Sequence, residues 1–226
     1  MINLNKALNV VTILVTTTFP FAAFAQNGAA PPATGKEWIV KSNNYTKTLL
    51  DIDKKYSPEF GSQQGLAFYD TLVSVPTLAN VLAERKDREN AVTLLKEAKQ
   101  KETNIALKQD LDILINQSEL GFRQDDFGLS REVPFTNVAE IVFNGIQTLL
   151  DDQTPADRRA AAVVRLRKYA GLSTGYQPIT AILQQRTAEQ MAKPDMIYPS
   201  RQKMEVALSH NASIVSGIEE LFKKYQ

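Results

Sequence analysis

Apolar residues recur along this chain at spacings of three and four, and almost nowhere at a spacing of two. An α-helix puts such residues on one face, whereas a half-buried strand needs strict alternation. Tyr45, Leu49, Ile52 and Tyr56 follow each other at four, three and four residues, with Lys54-Lys55 near the end of that helix, where cations suit the macrodipole. Leu78, Val81 or Leu82, Val92 and Leu95 mark a second segment opening at Pro76-Thr77, and Leu107, Leu111, Leu114 and Phe122 a third. The polar stretch KQKETN between them holds no strong breaker, so a helical hairpin and one long bent helix both fit. The Gly and Pro of DDFGLSREVPF, Asp125 to Phe135, predict a loop. Val138, Ile141, Val142, Ile146 and Leu149 predict the next helix, and Thr154-Pro155-Ala156-Asp157 resembles a cap for the helix RRAAAVVRLRKYAGL, which stops near Gly171. Tyr176 to Met191 reads as a helix with Pro178 in its first turn. The last helix starts near Ser200, with Met204, Leu208, Ala212, Val215, Ile218 and Phe222 as its seam. The expected fold is all-α, a multi-helix bundle or helical array packed through these stripes.

Of the 226 residues, 43% are hydrophobic and 23% charged, enough apolar surface for a core. The formal net charge of +1 gives no global field toward nucleic acid or a membrane surface. At the start, Lys6 precedes an apolar run from Ala7 to Phe24 that ends in Ala23-Phe24-Ala25, followed by Gln26. This pattern predicts a secretory signal peptide over residues 1–25. An uncleaved anchor is the alternative, weakened by three consecutive threonines and Pro20. A flexible leader over 26–36 and a helical domain over 37–226 follow. With no cysteine, neither a lipoprotein acylation site nor a disulfide framework exists. The expectation is therefore an exported protein, periplasmic or secreted, with no membrane attachment after cleavage.

Chemistry-bearing motifs are sparse. His210 is the one histidine, beside the apolar stripe of the last helix. A catalytic zinc site draws on about three protein ligands, mostly His and Cys, which this chain cannot assemble alone. The pairs Asp125-Asp126 and Asp151-Asp152 are the carboxylates closest to a Mg²⁺ or Ca²⁺ pattern, but adjacent side chains point apart. No Gly-x-Ser-x-Gly turn is present. Gly61 and Gly65 form no P-loop, because no Gly-Lys-Ser/Thr follows. Arg158, Arg159, Arg165, Arg167 and Lys168 make one helix basic, which reads as a solvated face, with an acidic partner as the alternative. The lack of interleaved aromatics speaks against nucleic acid.

The stretch SPEFGSQQGLAFYDT resembles the start of the bacterial family called domain of unknown function 885, with Trp38, Pro58, Gly65, Tyr69 and Asp70 in the family's places. AAAVVRLRKYAGL is similar to that family's arginine-leucine helix, and GYQPITAIL to the proline-bearing segment after it. The likeness runs from about Trp38 to Tyr225. It implies an exported, mostly helical, zinc-peptidase-like protein whose metal is held by a His-Glu-x-x-(Pro-Gly)-His helix and a later glutamate. No position here matches that motif, so no catalytic or metal-binding residue carries over and this chain itself holds no cofactor; zinc belongs to the complete family architecture. The resemblance is to the N-terminal helical part of a longer protein, whether a truncated product or half of a split one. It implies a C-terminal catalytic half or a homo-oligomer as partner, and a peptide-like substrate in the complete architecture only. Gly65 is then expected in a tight turn or close helix approach, and Asp70 as a helix cap or amide acceptor, with Tyr69 and Asp70 as candidate substrate contacts. Three functions are carried forward: a non-catalytic helical scaffold that leaves an apolar patch for its other half, a free-standing periplasmic binding or adaptor module, and a carboxylate-based hydrolase.

Overall fold

A computed structural model describes residues 36–225; the signal peptide expected over 1–25 and the leader over 26–36, apart from Lys36, lie outside them. Helix α1 (Glu37–Tyr56) is followed by short α2 (Pro58–Gln63), a 3₁₀ turn (Ala67–Tyr69), then α3 (Leu78–Lys101) and α4 (Ile105–Arg131). Next come α5 (Val138–Gln147), a 3₁₀ turn (Ala156–Arg158), α6 (Ala160–Tyr169), α7 (Ile179–Met191) and α8 (Arg201–Lys224). Among the described residues there is no strand, only one isolated bridge between Glu132 and Ile197. The fold is a helical array of the all-α class. No helix among the described residues is long and apolar enough to cross a membrane.

Helices α1, α3 and α4 pack together as one layer. Between α3 and α4 the hairpin wins over the single bent helix. Glu102 leaves the helical conformation, its carboxylate accepts from the amides of Thr103 and Asn104, and Asn104 caps α4 by accepting from Leu107 N at 3.1 Å. Side-chain acceptors thus satisfy the open amides of a new helix start. The stripes read from the sequence then meet: Val92 and Leu95 from α3 with Leu107, Leu111 and Ile115 from α4, flanked by Trp38, Tyr45 and Leu49 from α1.

The loop expected over Asp125–Phe135 is mostly helix. α4 runs on to Arg131, with Gly128 inside it. An interior glycine costs only about 1 kcal/mol against alanine. Arg85 fastens the preceding turns through Phe122 O and the Asp126 carboxylate, each at 2.9 Å, and the helix closes with Glu132 N donating to Gly128 O at 3.1 Å. The cap expected at Thr154 is also corrected. The Thr154 hydroxyl donates back to Thr148 O at 2.6 Å, and Pro155 opens a 3₁₀ turn, so α6 proper starts at Ala160. Pro178 precedes α7 instead of lying in its first turn.

The second layer is built on α5, which packs against α6 and α8. Ile146, Leu149 and Leu150 meet Ala161 and Ala162 there, with Leu221 and Phe222 of α8 and Tyr225 just after it closing the cluster. A neighbouring cluster of Val73, Tyr169, Ile179 and Leu183 brings in α7. The predicted seam of α8 is corrected over its first half. No residue of α8 is fully buried. The face turned inward carries Ala207, Asn211, Ile214, Ile218 and Leu221, while Met204, Leu208, Ala212 and Val215 face solvent. Gly217 lets the Phe143 ring approach so closely that a Cβ there would lie 3.1 Å from Phe143 Cε2. Helix α5 has ten residues and α8 has 24, so α5 cannot cover the whole length.

Candidate functional site

The stretch Pro58–Asp70 builds a polar centre together with α6. Helix α2 ends at Gln63, and Gly65 just beyond it has a φ of +83° that lets the chain reverse, with Leu66 N donating to Gly61 O at 3.1 Å. Glycine is needed again at Gly61, where a Cβ would lie 2.6 Å from Tyr69 Cδ2. The expectation for Gly65 thus divides: Gly65 makes the turn and Gly61 takes the close approach. Tyr69 is half-buried, its ring edge-on to the exposed Phe68. Asp70 points inward and is 4% exposed. It neither caps the next helix, where Thr77 does so, nor accepts from a backbone amide. Its carboxylate accepts from Ser62 Oγ at 2.7 Å and, in a bidentate pair, from Arg158 Nε at 2.7 Å and Nη2 at 2.6 Å. Burial pushes the Asp70 carboxyl up, but the hydrogen bonds from Arg158 and Ser62 prevail and hold it below the ordinary carboxylate value.

Seven residues on, Arg165 is 0% exposed and donates to three carbonyls: Leu72 O at 3.0 Å, Gly145 O at 2.6 Å and Tyr69 O at 3.0 Å. Its planar fork ties the segment after α2 to the C-terminal part of α5. Glu59 accepts from Tyr169 Oη at 2.5 Å, from Ser74 N at 2.9 Å and from Ser74 Oγ at 3.1 Å. Burial, then the Glu59 charge, push the Tyr169 hydroxyl well above its ordinary value. The solvated-face reading of the basic helix is therefore overturned for Arg158 and Arg165. The reason is visible on α6 itself: Arg165 lies four residues after Ala161 and four before Tyr169, on the buried side. That small-Arg-aromatic row was the available signal, and charge counting hid it.

The centre holds two carboxylates, Glu59 and Asp70, and two guanidiniums, Arg158 and Arg165, so its charges cancel. Its acids are engaged by donors, which leaves no free base or nucleophile. Such an arrangement fastens distant chain segments to one another. Asp70, a candidate substrate contact from sequence, is committed to Arg158; Tyr69 supplies its carbonyl to Arg165.

The other sequence candidates lie apart. His210 is exposed on α8. Asp125 and Asp126 sit on the last turns of α4, where Asp126 pairs with Arg85 at 2.9 Å. Asp151 accepts from Gln153 N at 2.8 Å, and Asp152 takes Lys224 and Tyr225. Among the described residues no group of three or more His, Cys, Asp or Glu is placed to hold a metal ion. A cleft of about 520 Å³ opens between α1, α3 and α4, walled by Leu49, Leu114 and Phe122. Its cations are already engaged: Arg85 holds Glu89 and Asp126 and lies 4.2 Å over the Phe122 ring, and Arg88 holds Glu84 and Asp53. The chain matches no protein-family model, no curated protein and no solved structure.

Proposed function

We propose that this chain is an exported helical scaffold that works by presenting a surface to another polypeptide. In an architecture of the zinc-peptidase-like kind, the metal and its ligands would belong to a separate catalytic half. The reading rests above all on the uncovered row of α8, where Met204 is 36% exposed, Leu208 68% and Val215 50%. Apolar rows left open to water mark interaction surfaces. The charges at its ends favour a second copy of this chain as the occupant. Arg201 and Glu219 are 18 residues apart, which at about 3.6 residues per turn puts them on one line at opposite ends of the row. An antiparallel partner would set Arg201 against the partner's Glu219 at both ends and Leu208 against the partner's Ala212. That is the self-complementary pattern of a two-fold interface. The charges would select register more than strength.

Sedimentation velocity over a concentration series tests this. The expected result is a reversible dimer that Leu208→Glu with Val215→Glu abolishes, that Arg201→Glu weakens, and that Arg201→Glu with Glu219→Arg restores. A wild-type chain that stays monomeric throughout removes the second copy as occupant and directs the row to a different polypeptide, as the adaptor reading requires. Chelator-sensitive hydrolysis of a peptide or ester panel by the purified chain would overturn the scaffold reading itself.

A further inference from the structure

On α7, Arg186 and Gln190 stand one turn apart and share a cavity of about 210 Å³ with Val81 of α3, Asp125 and Leu129 of α4, and Glu132. Two polar groups in it lack partners. Gln190 is 3% exposed; its Nε2 donates to Leu129 O at 3.0 Å, while its Oε1 is buried without a hydrogen bond. The Nε of Arg186 is likewise buried and unbonded, and among the described residues this guanidinium makes no hydrogen bond and no ion pair. Burial alone lowers its pKa; a carboxylate in contact would have raised it. Arg158 and Arg165, by contrast, are saturated with acceptors. A buried orphan donor beside a buried orphan acceptor is rare in a folded chain and asks for a ligand that carries both complements.

The rest of the cavity narrows that ligand. Asp125 and Glu132 are exposed, so they form a negative mouth to the cavity that holds the half-buried Arg186, with its buried Nε, and the buried Gln190. A simple anion would meet repulsion at that mouth; a molecule with a cation close to its anion would not. Val81 and Leu129 add apolar walls. The volume lies below the roughly 300–1,000 Å³ typical of drug-sized sites.

We propose that this cavity binds a small free α-amino acid with an aliphatic side chain. Arg186 receives the α-carboxylate, Gln190 Oε1 accepts from the α-ammonium, Asp125 and Glu132 balance the ammonium charge, and the side chain lies against Val81 and Leu129. The site is separate from α8 and does not depend on the docking reading.

Isothermal titration of L-leucine, N-acetyl-L-leucine and L-leucinamide into the purified chain tests it. L-Leucine is expected to bind saturably at one site. The two blocked analogues, each lacking one charge, should bind at least about tenfold more weakly, as should Arg186→Gln with L-leucine, the size of a lost charge-assisted hydrogen bond. Should Arg186→Gln fail to fold by circular dichroism, the exposed-mouth pair Asp125→Asn with Glu132→Gln gives the same readout, because both side chains are exposed and Asp125 makes only a 3.9 Å pair with Arg85. The proposal falls if L-leucine shows no saturable binding at millimolar concentration, if either blocked analogue binds as well as L-leucine, or if a folded variant of either kind keeps wild-type affinity.

Discussion

The interior of the α1–α3–α4 layer and the junction around Arg165 are equally dry, yet they are held by opposite chemistry. In the first, Leu95, Leu107 and Leu111 form an apolar cluster, and the buried polar side chain of that layer is Ser42, which donates to Asp110 at 2.8 Å. In the second, a fully buried guanidinium gathers three carbonyls, while Asp70 and Arg158 join segments 88 residues apart and Glu59 and Tyr169 join segments 110 apart. Apolar packing is non-directional and tolerates exchange of one shape for a similar one. A buried ionic network is directional, and removing one member strands the others. Tolerance to conservative exchange, not the size of the loss on truncation, should therefore separate the two regions.

The largest effect is expected at the junction. Arg165→Met should cost about 3–5 kcal/mol, because three carbonyls lose their donor. Leu111→Ala should cost about 2–5 kcal/mol through transfer and cavity terms. The comparison sharpens with conservative exchanges, measured by urea unfolding: Leu111→Met should stay within about 1.5 kcal/mol, whereas Arg165→Lys should recover little, since an ammonium cannot span the fork. Equal tolerance at both sites would erase the distinction.

Next comes Gly145→Ala. A Cβ there would overlap the Tyr169 hydroxyl, so Tyr169 must leave Glu59. A loss of about 1–3 kcal/mol is expected, read in the same unfolding experiment.

The junction should contribute to the pH dependence at both ends of the range, through Asp70 on the acid side and Tyr169 on the alkaline side. Asp70 has a folded pKa below its unfolded value, so its contribution is present above the ordinary carboxylate range and is lost as pH falls through the folded pKa. Tyr169 has a folded pKa above its unfolded value, so its contribution is present below the ordinary tyrosine value of 10.0 and declines as pH rises past it. Asp70→Asn should flatten the acid limb of thermal stability and Tyr169→Phe the alkaline limb, while Leu111→Met leaves both slopes unchanged.

The smallest effect is expected on α8. Leu208→Gln should change unfolding stability by no more than about 0.5 kcal/mol, because its side chain is open to water in the single chain. A large loss would mean that the row is covered, and that stability and association are one measurement.

Much of the fold was legible because helices announce themselves locally. The stripe of α1, the seam of α4 through Leu107 and Leu111, the Ser200 start of α8 and the Gly171 stop of α6 all follow from period, cap and left-handed residue. The failures have a common cause. The Gly128 region reads as loop because its local propensity is poor, while Arg85, from another helix, fastens the turns just before it. The α8 seam holds at Ile218 and Phe222 but its first part, Met204 to Val215, falls on the wet side, because two apolar lines run along that helix and only α5 decides which is covered. The partners of the junction are hidden for the same reason: the Ala161–Arg165–Tyr169 row marks Arg165 as inward-facing, but nothing near it in the chain indicates that Leu72 O, Gly145 O and Tyr69 O converge on it. Arg186 and Gln190 sit in an unremarkable polar stretch of α7, and only the packing of α3 and α4 against them leaves their donor and acceptor unmatched.

Class, helix spacing and the scarcity of metal-binding donors were set by the order of residues alone, because helical hydrogen bonds and caps act within a few positions. Which charged side chains are buried, which face of α8 stays wet and where a cavity opens were decided by tertiary packing. Desolvation depends on neighbours from distant segments, and no local pattern records who those neighbours are.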